Sequence, residues 1–225
     1  IITGDIFERL NVSNFIDKDF YGWVALEDNF RVIAPAFRII SQQLDEYDFT
    51  QVREDILKGI YQELVDLETR HGLGEYYTPD WLCEKIVQHI DIRRDSTFLD
   101  PACGSGSFLR VIIDRLKAKY PDMSAAEIAQ HVAGIDIHPL SVQISKNTML
   151  LALGEKIRHA PHPVKLRVFL GNALSEQLSI FNFQFSIVIG NPPWLTYKDV
   201  TNKDYQDELR DLAHKYRLLP KTANV

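Results

Sequence analysis

The feature that most constrains the fold is a short apolar run, Thr97 to Leu99, that leads through a glycine-rich loop into a helical pattern. The loop spans Cys103 to Gly106, and apolar residues then recur at three- and four-residue spacing as far as Leu116. Glycine permits a tight turn and a close approach of the backbone to a ligand. A strand, a glycine turn and a helix in this order predict an α/β fold.

Later segments repeat this alternation of strand and helix. Ser124 and Glu127 have the spacing of a capping box, which predicts a helix that ends near His131. The pattern also predicts a helix over 141–153 and strands over 132–137, 166–170 and 185–189. Such alternation predicts a parallel, doubly wound sheet whose ligands bind at the carboxyl ends of its strands.

The N-terminal third of the chain has a different pattern. Apolar spacing predicts one helix from Phe30 to Leu44 and a second that starts near Asp48 or Thr50 and ends at Gly72. The first 25 residues show a weaker pattern, which is compatible with a partly irregular segment. We therefore divide the chain into a helical connector or scaffold at residues 1–72 and an α/β domain at residues 73–225.

Two further helices are predicted inside the α/β domain. Thr78 and Pro79 have the features of an N-cap and a first helical residue, ahead of an amphipathic pattern that reaches Ile90. Leu209 to Tyr216 predicts a last helix near the end of the chain.

Charge and cysteine content limit the functional classes. The chain has 25 Lys and Arg against 31 Asp and Glu, a formal net charge of −6, so no overall basic field exists to hold a polyanion. Cys83 and Cys103 lack the spacing of a metal site or a disulfide framework, which predicts a cytoplasmic protein without a bound metal. The sequence has no uncharged apolar segment long enough to predict membrane insertion. Because the chain starts at Ile1 and stops at Val225 without a closing element, we expect it to be a piece of a longer protein.

Three predicted loops follow strands and carry chemically useful groups. Residues 100–108 read DPACGSGSF, and Leu109 stands where a dinucleotide fingerprint would have its third glycine, which argues against a dehydrogenase. Asp136 ends the second strand, where a carboxylate can accept hydrogen bonds from both hydroxyl groups of a ribose. Residues 190–194 read GNPPW, so an amide and a backbone carbonyl are held in a rigid turn beside an aromatic ring.

These loops together resemble those of one family, the N6-adenine DNA methyltransferases. The segment GEYYTP at residues 74–79 resembles the family's other cofactor-binding motif, and its position ahead of the glycine loop resembles the gamma arrangement. That arrangement is used by modification subunits of type I restriction systems and by fused restriction–modification enzymes of the type IIG kind. The resemblance covers about residues 30–225 and implies an incomplete Rossmann-like methyltransferase sheet, the N-terminal part of a catalytic domain.

The resemblance implies S-adenosylmethionine as the cofactor. Asp136 would bind its ribose hydroxyls and Ile137 would pack on its adenine ring. Asn172 takes the place of an Asp that commonly accepts a hydrogen bond from the adenine amine, so that bond would lack charge assistance. The full set of implied cofactor-binding residues is Tyr77, Thr78, Asp100, Ala102, Gly104, Gly106, Asp136, Ile137, Asn172 and Leu174.

The resemblance also implies a target and a reaction. Asn191 and Pro192 would accept hydrogen bonds from the N6 amine of a flipped-out adenine, Trp194 would stack on that base, and Pro193 would stiffen the turn. The implied partners are double-stranded DNA and a specificity or restriction subunit or domain, in the full-length enzyme. The isolated chain is not expected to methylate DNA with sequence specificity, since it contains no recognisable target-recognition domain.

Other functions remain open at this point. A protein-glutamine methyltransferase has the same two-proline turn, because its substrate is also a planar NH2 group, although such enzymes typically have Tyr at the position of Trp194. An RNA adenine methyltransferase and a non-catalytic cofactor-binding fragment are further alternatives. Methyl-transfer assays on DNA, RNA and protein would separate them.

Overall fold

The structure is a computed structural model that describes residues 5–15, 22–48, 78–174, 184–194, 198 and 200–218. The chain separates into two compact units. The first consists of Ile1–Asp66 and Tyr77–Pro192, and the second consists of Leu67–Tyr76 and Pro193–Val225.

The first unit contains a parallel sheet of four strands in the described residues. The strands are β1 (Phe98–Asp100), β2 (Val132–Asp136), β3 (Arg167–Leu170) and β4 (Ile187–Val188). Their order across the sheet is β3-β2-β1-β4, and every neighbouring pair is parallel. The predicted parallel α/β sheet is therefore confirmed, although β4 has only two residues where the sequence predicted five.

Helices connect these strands in the predicted alternation. The helices of the first unit are α1 (Asp5–Arg9), α2 (Glu27–Leu44), α3 (Asp80–Gln88), α4 (Ser107–Lys119), α5 (Ala125–His131) and α6 (Pro139–Leu153). The capping box predicted for α5 is present: the Ser124 hydroxyl accepts from the Glu127 N–H, and a Glu127 carboxylate oxygen accepts from the Ser124 N–H. In the second unit, α7 spans Lys203–Lys215.

The predicted N-cap at Thr78 is wrong. The N-cap of α3 is Pro79, whose carbonyl accepts hydrogen bonds from the N–H groups of Leu82 and Cys83 at 2.9 and 3.2 Å. Proline has no N–H but keeps its carbonyl, so it can begin the helical hydrogen bonding from an extended conformation. The helix also ends at Gln88, two residues before the predicted end.

One large apolar core joins the helices to the sheet. Phe98, Val132 and Val168 of the first three strands belong to this core, together with buried residues of α3 to α6. Leu99, Ala133 and Ile135 form a smaller buried cluster with Ala173 and Phe185 packed against it. Side chains alternate between the two faces of a strand, so neighbouring residues such as Phe98 and Leu99 fall in different clusters.

The N-terminal segment is less helical than the sequence suggested. Asn11 to Phe15 form no helix, and Val12 makes an isolated parallel bridge with Val164. The Asn14 side-chain amide pairs with the backbone of Leu166 in both directions, at 2.8 Å each way. The bridge and these hydrogen bonds hold the segment from 11 to 15 beside the chain that enters β3.

The predicted helix over residues 30–44 is confirmed as α2. None of its residues is buried in the described part of the chain, and most of its large apolar side chains are exposed, Val32 and Ile39 the most. Asp48, one of the two predicted starts of the second helix, is described and is not helical, whereas residues 50–72 and the boundary proposed at residue 72 lie outside the described residues. Among the helices that the structure describes, none has the length and apolar composition needed to cross a membrane.

Candidate active site

The glycine loop, residues 101–106, joins β1 to α4 at the carboxyl end of the sheet. Cys103 donates its backbone N–H to the Ile135 carbonyl at 2.9 Å, which ties the loop to β2. Gly104 and Gly106 have φ values of +52° and +82°, a region that L side chains rarely adopt. A Cβ on Gly104 would meet none of the described atoms within 4 Å, so a ligand can approach the backbone here.

Two hydroxyl groups of α6 hold the other side of the glycine loop. Ser145 donates to the Gly104 carbonyl at 2.7 Å, and Thr148 donates to the Ser105 carbonyl at 2.7 Å. Both hydroxyl-bearing side chains are buried. The sequence gives no signal for Ser145 or Thr148, because a serine or threonine in a helix has no local pattern that identifies a partner about forty residues earlier.

The carboxylate of Asp136 bridges β2 and the glycine loop. Its Oδ2 accepts from the Gly104 N–H and its Oδ1 accepts from the His138 N–H, both at 2.8 Å. Burial raises the pKa of this carboxyl group, and the two backbone hydrogen bonds oppose that rise. Each carboxylate oxygen has a second lone pair, so Asp136 keeps the capacity to accept from a pair of ligand hydroxyl groups.

Asp100 is the last residue of β1, and only 2% of its surface is exposed. Its Oδ1 accepts from the Ala102 N–H at 3.1 Å. Burial raises the pKa of Asp100 to about 7; the Ala102 hydrogen bond opposes this rise, and the charge of Asp136 adds to it. A buried carboxyl group of this kind gains most from a cationic partner such as an ammonium group.

Cys103 packs against β2 beneath the loop. A Cβ on Gly134 would lie 2.9 Å from Cys103 Sγ and 2.9 Å from a methyl carbon of Leu109, so only glycine allows this close contact. Burial raises the pKa of the Cys103 thiol well above its ordinary value. Cys103 is therefore a packing residue, since a nucleophilic cysteine needs a lowered pKa.

Exposed apolar side chains follow the carboxyl ends of β2 and β3. Ile137 is 70% exposed and Leu174 is 54% exposed. Asn172 lies between β3 and Leu174, and its Oδ1 accepts from the Leu174 N–H at 3.0 Å in a local turn. The Gly171 N–H donates to the Asp136 carbonyl at 2.9 Å, which brings the chain after β3 beside the end of β2.

The segment after β4 reaches the same edge of the sheet. Ile189 donates its N–H to the Leu99 carbonyl at 2.9 Å, and a Cβ on Gly190 would collide with Asp100 Oδ1. Asn191 comes next and is half-buried. We call residues 190–192 the target turn. It begins at Gly190, the residue that contacts Asp100.

Four predicted residues are assigned to the site from their sequence motifs alone. Pro193 and Trp194 belong to the second unit, and Trp194 is 74% exposed. Tyr77 lies outside the described residues. Thr78 lies two residues before α3, a helix that packs against α4, the helix that follows the glycine loop.

The residues present fit S-adenosylmethionine by their chemistry. The exposed apolar side chains of Ile137 and Leu174 suit a planar base, and the Asp136 carboxylate suits ribose hydroxyl groups. The open space at Gly104 admits a ligand chain, and the buried Asp100 carboxyl group suits an ammonium group. A ligand with an apolar base, a diol and a cationic amino acid end matches this donor and acceptor set.

The sheet and its glycine loop define the Rossmann-like methyltransferase fold. The type IIL restriction-modification enzyme MmeI, solved in complex with DNA, is a structural match with a TM-score of 0.56 and 19% identity. The match covers 76% of this chain and 29% of that chain. At this level of identity the likeness shows the fold alone, and it confirms the fold predicted from the sequence.

The family follows from the sequence comparison. The profile of the N-6 DNA Methylase family matches residues 52–222, and the chain belongs to this family. The sequence-based resemblance to N6-adenine DNA methyltransferases is therefore confirmed.

Two curated relatives of the chain are methylase subunits of type I restriction enzymes. The chain is 30% identical over 220 residues to the type I restriction enzyme EcoEI methylase subunit of Escherichia coli. The aligned region covers 93% of this chain and 43% of that protein. It is 27% identical over 192 residues to the type I restriction enzyme MjaVII methylase subunit of Methanocaldococcus jannaschii, which covers 84% of this chain and 30% of that protein. The chain thus spans less than half the length of these curated relatives.

Proposed function

We propose that this chain holds the cofactor and the target amine in an adenine-N6 DNA methyltransferase of a restriction–modification system. The observation that carries the proposal is the meeting of the glycine loop and the target turn at one edge of the sheet, where Gly190 contacts the Asp100 carboxyl group. Methyl transfer needs a cofactor site and an acceptor site side by side, so this contact supports both assignments together.

The cofactor assigned to this site is S-adenosylmethionine, which when bound supplies an electrophilic methyl group on a sulfonium sulfur. Asp136 accepts from the ribose hydroxyls, and Ile137 and Leu174 cover the adenine ring. Asn172 accepts from the adenine amine through its second lone pair, because the first is used in the turn to Leu174. The backbone at Ala102, Gly104 and Gly106 and the Asp100 carboxyl group line the methionine part. Tyr77 and Thr78 are assigned to the same part from the GEYYTP motif alone.

The target turn acts on the acceptor amine. The N6 amine of adenine is a poor nucleophile, because its lone pair is delocalised into the ring. The Asn191 amide oxygen and the Pro192 carbonyl accept hydrogen bonds from its two N–H groups and thereby favour a more tetrahedral nitrogen. Neither group ionises, so rate acceleration comes from orientation and from fixed dipoles. Pro193 limits the freedom of the turn.

An adenine inside a duplex cannot reach the target turn. The base therefore has to be extruded, at a cost of a few kcal/mol of unstacking. The indole of Trp194 offers a face on which the extruded base stacks, a role proposed from the GNPPW motif alone. Because the net charge of the chain is −6, the grip on double-stranded DNA is assigned to other parts of the full-length protein or to a specificity or restriction subunit.

The test has two parts, both on the full-length natural protein. Calorimetry compares S-adenosylmethionine with NAD, and the proposal requires the former to bind more tightly. Transfer of labelled methyl groups is then measured on mixed-sequence duplex DNA, on RNA and on protein, with nucleoside analysis for N6-methyladenine. Label in RNA or in glutamine side chains, with none in DNA, would replace this proposal by one of the alternatives.

A further inference from the structure

We propose that Gly190 is a positioning residue through which the occupied cofactor site sets the conformation of the target turn. The inference rests on the proposed function and goes beyond it, because it assigns a role to a residue that touches neither the cofactor nor the base. Gly190 would act through its contact with the Asp100 carboxyl group.

The contact is unusually close. A Cβ built on Gly190 would overlap Oδ1 of Asp100, and it would lie 3.2 Å from Cγ of Asp100 and 3.4 Å from Cδ of Pro101. Real Cβ atoms essentially never come within 3.0 Å of another heavy atom, so the carboxyl group occupies the volume that any other residue would need.

Each side of the contact is anchored by its own strand. The Asp100 Oδ1 accepts from the Ala102 N–H, so the carboxyl group is bound to the start of the glycine loop. On the other side, the Ile189 N–H donates to the Leu99 carbonyl, so the backbone just before Gly190 is bound to β1. Since neither side can move away freely, a ligand that engages Asp100 acts on the Gly190 backbone, and Asn191 is the next residue.

Steric exclusion, and not backbone conformation, requires glycine at this position. Gly190 is not among the residues with positive φ, so alanine could adopt its backbone conformation without strain. Gly171 is a natural control, because it also precedes an asparagine at the end of a strand. A Cβ on Gly171 would meet none of the described atoms within 4 Å. The same substitution therefore creates a collision after β4 and none after β3.

The first measurement is a double-mutant cycle on the full-length protein without ligand. Gly190→Ala should lower the denaturant midpoint of the wild-type protein, and it should have little further effect in an Asp100→Ala background, where the colliding carboxyl group is gone. Gly171→Ala should leave the midpoint nearly unchanged in both backgrounds. If Gly190→Ala alone does not fold, recovery of folding in the double variant supports the contact. Equal losses in both backgrounds, or no recovery, would overturn it.

The second measurement tests the coupling. Hydrogen exchange of the peptide that covers residues 187–192 is followed with and without saturating S-adenosylhomocysteine, whose binding is checked by calorimetry. The wild-type and Gly171→Ala proteins should show exchange slowed about fivefold or more by the ligand, the lower end of ordinary coupling energies. Gly190→Ala should bind the ligand and lose this slowing. Wild-type binding without slowing would overturn the inference alone, whereas absence of binding would overturn the proposed function as well.

Discussion

The glycine loop and the target turn lie at the same edge of one sheet but are held in different ways. The glycine loop follows the central strand β1 and is fixed by Asp136, Ser145 and Thr148, which bind its backbone from two neighbouring elements. The target turn follows β4, a strand of two residues that pairs only with β1 among the described strands. Cys103, Ser105 and Gly106 of the loop are buried, whereas no residue of the target turn is buried and Pro192 is exposed.

This difference separates two kinds of preorganisation. The glycine loop has its hydrogen bonds in place before any ligand binds, so its shape adds little cost to binding. The target turn is anchored mainly at its beginning, through Ile189 and the contact of Gly190 with Asp100. We therefore expect substitutions in the loop and at the anchored Gly190 to change stability, and substitutions of Asn191 and Pro192 to change turnover.

The largest effect is expected for Asn191→Ala in the full-length enzyme. Loss of one acceptor for the target amine should lower kcat by about two to three orders of magnitude, as for other preorganised polar groups that act on the reacting atoms. The dissociation constant of S-adenosylmethionine, measured by calorimetry, should stay nearly constant. Asn172→Ala is the matched control at the end of β3 and should weaken cofactor binding instead. A loss of cofactor affinity in Asn191→Ala, with full turnover at saturation, would reverse the two assignments.

The second prediction concerns the buried carboxyl group of Asp100. In the folded chain the Asp100 carboxyl group has a pKa of about 7, whereas its ordinary value is 3.8. Between pH 3.8 and pH 7 the folded chain therefore holds a proton on Asp100 that unfolding releases. Stability from this group is therefore full below pH 4 and is lost as the pH rises through 7, by roughly 2 to 4 kcal/mol. Denaturant unfolding without ligand, compared between wild type and Asp100→Asn, should show this loss only in the wild type. Parallel pH profiles would contradict it.

A smaller effect is expected for Asp136→Ala. The substitution removes the acceptor for Gly104 and the proposed acceptor for the ribose, so S-adenosylmethionine should bind about 1 to 3 kcal/mol more weakly. The control is Asp122→Ala, which removes an exposed carboxylate paired with Arg94 at 2.6 Å. Calorimetry should find the cofactor affinity of this control unchanged. Equal affinity in both variants would remove Asp136 from the site.

The smallest effect is expected for Ser145→Ala. Loss of the hydrogen bond to the Gly104 carbonyl should lower the free energy of unfolding by about 1 to 2 kcal/mol. Ser141 on the same helix is a matched control, since its hydroxyl oxygen is buried and has no hydrogen-bond partner in the described structure. Ser141→Ala should be neutral or slightly stabilising, because it removes a buried polar atom without breaking a bond. If both variants lost the same stability, the hydroxyl group of Ser145 would not be what holds the loop.

Local patterns were enough to predict most elements of the α/β region. The alternation of strand and helix, the capping box of Ser124 and Glu127, and the position of the glycine turn all depend on spacing over a few residues. The boundaries were less accurate: β4 is shorter than predicted, and α3 begins after Pro79 instead of after Thr78. Residues at the ends of elements have alternatives of similar energy, and local spacing does not choose between them.

By itself the sequence determined the family, the order of the motifs and the residue types available at the carboxyl ends of the strands. Only the tertiary structure decided which of those residues touch one another. Ser145 reaches the carbonyl of Gly104, Asn14 pairs with Leu166, and the Asp100 carboxyl group fills the space beside Gly190. None of these contacts has a local pattern, because each joins positions far apart in the chain, and their distances are set by how strands and helices pack around one core.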